Sequence, residues 1–497
     1  MATTTQRKRV RREPMSKVDT AWLRMDRPTN PMMITGVLMF DEPMSIARLR
    51  KVVETRFLAY SRFAQKAVDG ATGAVWQDDE HFDLDWHVRL SALPGAGARR
   101  GAAAEKRALE RFASQMASTP LDKGRPLWQF HLVERYGGGS ALIARIHHSY
   151  ADGIALVQVL LSLTDTARDP GEDKALARAW LKRDGEEVAR RVGAVERYTA
   201  IGGRMLGKGR EMVQDPGLAG VLAREGGEIA RELVQALALP DDPPSILRGS
   251  LGTSKRVAWA EPLDLGEVKA VSRACDCTVN DVLMAAAAGA LRSYMLDRGE
   301  AVDGLSLRAT VPVNLRPLEH AKKLGNHFGL VFLDLPVGEP NPVRRLEYVA
   351  ECMNQLKNSQ QAIVAYGLLA ALGMAPQPLQ ALALEMFSRK ASAVATNVPG
   401  PQQPLYLAGC RLSGMMFWVP QTGSIGIGLS ILSYNHRVHF GMIADARLVP
   451  DPDAVVRRFR PEFEKLLYLA LMGNWERTLD SVDAESLLAS SANPDAS

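Results

Sequence analysis

Seven consecutive residues, His147-His148-Ser149-Tyr150-Ala151-Asp152-Gly153, constrain this chain more than any other stretch. They follow a strand-like run, Ala141-Leu142-Ile143-Ala144-Arg145-Ile146, and open an apolar, helix-like run from Ile154 to Leu161. A histidine pair at a strand end, with Asp-Gly four residues on, suits base catalysis. The imidazole sits where a substrate can reach it, the carboxylate can fix the turn, and glycine lets backbone approach closely. The competing reading is a buried histidine satisfied by backbone, with Asp-Gly as an ordinary turn. A shared metal is disfavoured, because adjacent strand residues point to opposite faces, and no HExxH or CxxC pair accompanies them.

The chain has 497 residues, enough for two or three domains, and its 46% hydrophobic and 24% charged residues describe a globular protein with large cores. Four cysteines (Cys275, Cys277, Cys352, Cys410) are too few for a disulfide scaffold and fit a reducing cytoplasm. Most of the net charge of +5 lies in residues 1–14, where Arg7, Lys8, Arg9, Arg11 and Arg12 face only Glu13. The rest of the chain is close to neutral, so no nucleic-acid partner is expected. The basic start is expected to be a disordered tail; weak attachment to an anionic lipid surface, an inner membrane or a lipid inclusion, is its functional alternative. No apolar segment follows it as in a signal peptide, and the longest apolar run, Ala362 to Ala375, is too short to span a bilayer. A core helix, the wall of a site for an apolar chain or a lipid contact would each explain that run.

Patterning predicts a strand over Met33–Phe40, an amphipathic helix over 45–65, a loop and helix start over 94–106, a strand over Trp128–Glu134, and a Gly137-Gly138-Gly139 hinge before the histidine strand. Alternating strands and helices make residues 15–165 an α/β lobe. Residues 166–250, charged and closed by Pro240-Asp241-Asp242-Pro243-Pro244, read as a helical crossover. A second α/β lobe then covers 251–477, with the strand Arg256–Trp259, the helix Leu265–Ala274, and strands near 310–315, 330–335, 393–397, 427–434 and 438–444. Residues 478–497, rich in Ser, Ala and Asp, are expected to be disordered. Asn280-Asp281 precedes the helical run Val282–Ala287, either as a helix cap or as an amide able to donate to an oxyanion.

The HHxxxDG pattern resembles the active-site motif of the CoA-dependent acyltransferase superfamily, which includes chloramphenicol acetyltransferases and peptide-synthetase condensation domains. Further segments narrow the resemblance to bacterial wax ester synthase/diacylglycerol acyltransferases. They are Met15-Ser16-Lys17-Val18-Asp19-Thr20-Ala21-Trp22-Leu23, Pro126-Leu127-Trp128, Asn280-Asp281 and Asn397-Val398-Pro399-Gly400-Pro401, in matching order from about Met15 to Arg477. The resemblance implies an α/β (α+β) pseudo-dimer of two chloramphenicol-acetyltransferase-like lobes with a tunnel between them. It implies His148 as general base, with no cofactor and no metal. Long-chain acyl-CoA as co-substrate, and diacylglycerol or a fatty alcohol as acceptor, would enter from opposite sides. By the same resemblance Asp152 pairs with an arginine (Arg24, Arg27 or Arg145), and Asn280, next to Asp281, lies near the active centre.

The residues agree with that chemistry. A neutral imidazole near its usual pKa of about 6.5 would deprotonate the attacking hydroxyl. His147 would orient the strand end, Gly153 would clear the substrate's path, and Pro126, Leu127 and Trp128 would line the acyl tunnel or simply pack in the core. Two alternatives stay open at this point: a condensation-type enzyme using carrier-protein thioesters, and a non-catalytic lipid-binding homologue.

Overall fold

The period-two pattern of residues 33–40 becomes a strand, Met33–Phe40, paired antiparallel with the histidine strand Gly139–His147 in a computed structural model of the chain. The structure describes residues 11–70, 73–94, 101–169, 239–315, 326, 328–357, 359, 361–372, 377–473 and 478–492. Outward from that central pair, one side of the sheet adds Trp128–Tyr136 and then Val88–Ser91; only this last pairing is parallel. The glycines expected to form a hinge make a tight hairpin instead. Gly137 and Gly138 take φ of 59° and 83°, where residues with a Cβ are strained.

The second sheet runs in the order Phe328–Leu335, Leu307–Asn314, Ala393–Pro399, Ile427–Tyr434, Arg437–Asp445, Lys255–Trp259. Its core is sealed by the helices Val279–Asp297 and Pro452–Met472, with Phe440 stacked on Phe459 at 3.9 Å. The strands expected in this half are all present, one or two residues longer in places.

Several strands were not legible in the sequence, among them Val75–Asp78, Val88–Ser91 and the long Cys410–Trp418. Cys410–Trp418 lies within the second half of the chain yet pairs with Met33–Phe40, from Leu412 opposite Phe40 to Trp418 opposite Thr35. It completes the first sheet, so the lobes share a strand. A second junction forms where the helix Ala102–Ser118 covers the edge strand Lys255–Trp259. Ser118 Oγ accepts from the Lys255 N–H (2.8 Å), and Ser114 Oγ accepts from the Val257 N–H (2.9 Å). The side chains of one lobe's helix thereby satisfy the other lobe's open sheet edge.

Both terminal expectations need correction where they meet the described residues; residues 1–10 and 493–497 lie outside these. Arg12–Pro14 is a strand paired with Val75–Asp78, because Arg12 finds Gln77 across the ladder (Nε to Oε1, 2.9 Å). Ser481–Ala492 is a helix; although polar in composition, this tail buries Leu479 and Ala484 against the second lobe. The expected helix over 45–65 stops at Phe57, and a short turn at Ser61–Ala64 brings Phe63 back onto Phe57 at 3.9 Å. The crossover lies mostly outside the described residues. Its proline-rich end is anchored, since Asp242 is buried and accepts from the Arg308 N–H (3.0 Å) and from Ser392 Oγ. Among the described residues no single helix is long and apolar enough to cross a membrane.

A buried ion pair pins the two halves. Lys255 Nζ donates to Asp445 Oδ2 (3.1 Å) and to Asn30 Oδ1 (2.8 Å), while Asn30 Nδ2 donates to the carbonyls of Gly423 and Ile425. Removing one partner of a buried pair strands the other charge. Lys255→Met should therefore lower unfolding stability by about 3–5 kcal/mol in denaturant titrations; a loss under about 1 kcal/mol would mean that water replaces the ammonium.

Candidate active site

The strand ends at His147, whose N–H donates to Leu127 O (2.9 Å); the next N–H, that of His148, donates to Met32 O (2.7 Å). Three side chains then hold the turn. His147 Nδ1 accepts from the Ser149 N–H (3.1 Å), which leaves its proton on Nε2, 3.9 Å from Asp26. Tyr150 Oη accepts from the Leu127 N–H (3.0 Å) and donates to Gln65 O (2.7 Å), with its ring stacked on Phe63. Asp152 is the N-cap of the helix Gly153–Ser162, its Oδ1 accepting from the Ala155 N–H at 2.8 Å. Of the seven residues, His148 presents its ring to the space between the lobes, which Asp152 also lines.

That ring lies flat against Trp22, centroids 4.0 Å apart, with Phe328 of the second lobe at 5.6 Å. Together they open onto an elongated apolar cavity whose further wall includes Val394, Asn397, Phe417 and Leu432. Phe417 reaches it because Gly36, opposite on the neighbouring strand, has no side chain; a Cβ there would meet the ring at 2.4 Å. Past Trp22 and Phe328 the space continues between the strand Phe328–Leu335 and the helices Gln361–Leu372 and Gln377–Ser388, lined by Met25, Phe332, Leu368 and Leu384.

Burial, reinforced by neighbouring His147, pushes the His148 pKa down to about 3 rather than leaving it near its usual value. Burial likewise takes His147 down to about 4. The imidazole is neutral at any physiological pH. The buried Nδ1 of His148 has no hydrogen-bond partner among the described residues.

Other expected site residues do not line this cavity themselves. Pro126-Leu127-Trp128 packs in the first lobe's core: Trp128 is fully buried, stacks on His87 at 4.3 Å, and donates Nε1–H to Phe63 O. The helix beginning at Val279 is capped by Thr278 and Asp281 in a reciprocal capping box, not by Asn280. Asn280 instead accepts from Asn397 Nδ2 at 2.6 Å, and Asn397 is the carboxamide lining the cavity among the described residues. Two arginines proposed as partners of Asp152 are held elsewhere, Arg24 by Asp69 and Arg145 by Gln129 and Thr119.

Sequence reasoning missed Trp22, Phe328, Asn326 and Asp19 as site residues. Trp22 and Asp19 lay inside the motif Met15–Leu23, which was recognised only by resemblance. Asn326 Nδ2 bridges Asp19 Oδ1 (2.7 Å) and the His148 carbonyl (3.0 Å).

The profile of the wax ester synthase/diacylglycerol acyltransferase catalytic domain matches residues 15–283, and that of the WS/DGAT C-terminal domain matches 324–467. The chain belongs to this family. A Mycobacterium tuberculosis relative named probable diacylglycerol O-acyltransferase is 30% identical to this wax ester synthase/diacylglycerol acyltransferase homologue over 403 residues, 80% of this chain and 81% of its own. The wax ester synthase/diacylglycerol acyltransferase of Marinobacter aquaeolei has the same fold, with a TM-score of 0.64 at 24% identity over 93% of this chain and all of its own. The first condensation domain of the calcium-dependent antibiotic synthetase shares the two-lobe fold at 16% identity, with a TM-score of 0.57, over 95% of this chain and 98% of its own. As a member of the family, the protein is an acyltransferase.

Five histidines buried among the described residues should make this acyltransferase acid-sensitive. Burial lowers His87, brings His131, His147 and His439 to about 4, and brings His148 to about 3. Above pH 6.5 both folded and unfolded chains hold these rings neutral, and they contribute no pH dependence. Below it the unfolded chain binds protons that the native state refuses. Stability should fall from about pH 6.5 towards 4, by up to about 1.4 kcal/mol per pH unit for each histidine. Buried Asp19 and Glu110, shifted upward by desolvation, oppose part of that slope. Unfolding midpoints that stay level from pH 7.5 to 4.5 would contradict the assignment.

Proposed function

We propose that the protein transfers a long-chain acyl group from acyl-CoA to the hydroxyl of diacylglycerol or a long-chain alcohol, with His148 as general base. The observation that carries this reading is a neutral imidazole lining an apolar cavity between two lobes. A thioester needs no further activation. The unprotonated imidazole nitrogen takes the hydroxyl proton as the oxygen attacks the thioester carbon; the C–S bond then breaks, and the imidazolium returns the proton to the CoA thiolate. A positioned base of this kind contributes roughly 10²–10⁴-fold. The developing oxyanion also stabilises the imidazolium beside it, raising proton affinity during the step that uses it. In this reading Asn397, which lines the cavity and is oriented by Asn280, donates to that oxyanion. The apolar extension past Trp22 suits an acyl chain, each buried methylene adding about 0.8 kcal/mol. Val364, Ala365 and Leu368 give the long apolar run of the sequence a place as its wall.

Two experiments test this reading. With palmitoyl-CoA and dioleoylglycerol or hexadecanol, followed by CoA release, His148→Ala should lose nearly all turnover while His147→Ala is milder; equal residual rates would sink the base assignment. Asn397→Leu should lower kcat by roughly 10²–10³ with KM nearly unchanged, whereas Asn280→Asp keeps an acceptor for Asn397 and should be far milder. The reverse order would make Asn280 the donor.

A further inference from the structure

A neutral histidine works as a base only at the nitrogen without the proton, so the group that decides which nitrogen carries it belongs to the catalytic apparatus. Asn326 is buried just ahead of the strand Phe328–Leu335, in the second lobe. Its Nδ2 donates to Asp19 Oδ1 (2.7 Å) and to the His148 carbonyl (3.0 Å), and its backbone N–H donates to the same Asp19 oxygen (3.2 Å). A backbone carbonyl cannot donate, so the amide nitrogen must occupy this side, and the planar carboxamide turns Oδ1 the other way. That Oδ1 is buried without a hydrogen-bond partner among the described residues, as is Nδ1 of the neighbouring His148. A carboxamide oxygen only accepts. Buried beside an imidazole it favours the tautomer that offers it an N–H, because an unpaired polar atom in a dry site costs about 1–3 kcal/mol.

We propose that Asn326, held by Asp19, is a positioning residue that keeps the His148 proton on Nδ1 and so leaves Nε2 free as the base. The His148 carbonyl, which Asn326 itself holds, and then the Asn326 side chain both act on the ring with the sign of a hydrogen bond, opposing the downward push of burial on His148. Three parts of the chain then meet at one carboxamide: the first helix through Asp19, the histidine turn, and the second lobe. The inference rests on His148 being the base.

Nitrogen-15 spectra of the full-length protein labelled at histidine test it, with His148 assigned by the signal lost in His148→Gln. The wild type should carry the His148 proton on Nδ1. In Asn326→Ala the Nε2–H form should appear. Turnover per folded molecule should fall at least about tenfold, and up to the roughly 10⁴-fold that a wrong catalytic tautomer can cost, with KM for palmitoyl-CoA within about twofold. Asp19→Asn should shift both readouts in the same direction by less. A wild-type proton on Nε2 overturns the proposal whether or not the variants fold. So does an Asn326→Ala protein that melts earlier yet keeps its tautomer and its turnover, for that is a structural role alone. If His148→Gln is inactive while the tautomer is wrong, only this inference falls; if His148→Gln turns over normally, the reading beneath it falls as well.

Discussion

The ladder between Cys410–Trp418 and Met33–Phe40 is the contact on which the rest of the architecture depends. Without it the first sheet lacks a strand and the cavity lacks the Phe417 wall. Backbone hydrogen bonds are well suited to this task, because a slip of one residue would turn every side chain of the crossing strand to the wrong face. Gly36 opposite Phe417 adds a steric key to the register. The Lys255–Asp445–Asn30 cluster and the serines of the helix Ala102–Ser118 then fasten the lobes at separate points.

Within that frame the site owes its character to dryness. Trp22 and Phe328 strip water from His148, which keeps the ring neutral and makes each nearby dipole count for more than it would in solvent. Polar groups are few and committed: Tyr150 to two backbone atoms, Asp152 to a helix start, Asn280 to Asn397. Such a site gains little from titration and much from orientation.

The sequence was informative wherever the signal was local. The helix Leu265–Ala274 and the strands Met33–Phe40 and Ile427–Tyr434 match their periodic patterns to the residue, and the histidine turn announced itself by composition. What escaped was long-range or two-sided. The half of Cys410–Trp418 from Gly414 onward is buried on both faces, so alternation disappears where a strand would otherwise show it. Asp19 and Asn326 are 307 residues apart, and no spacing rule joins them. Thr278, Asn280 and Asp281 are all cap-competent types within four positions; only backbone geometry gives the cap to Thr278 and frees Asn280 for another partner. The tail helix hid because two buried side chains, Leu479 and Ala484, suffice to dock a segment whose composition is otherwise polar.

A strand borrowed from so far along the chain also has a history during synthesis. At about 5–20 residues per second, the roughly 370 residues between Phe40 and the crossing strand take on the order of 20–75 s to emerge. Through that interval the hydrogen-bonding edge of Met33–Phe40 has no partner of its own, and an apolar, unpaired edge is the kind that other chains add to. The first lobe therefore matures as an open template, closed only when nearly all of the protein has been made.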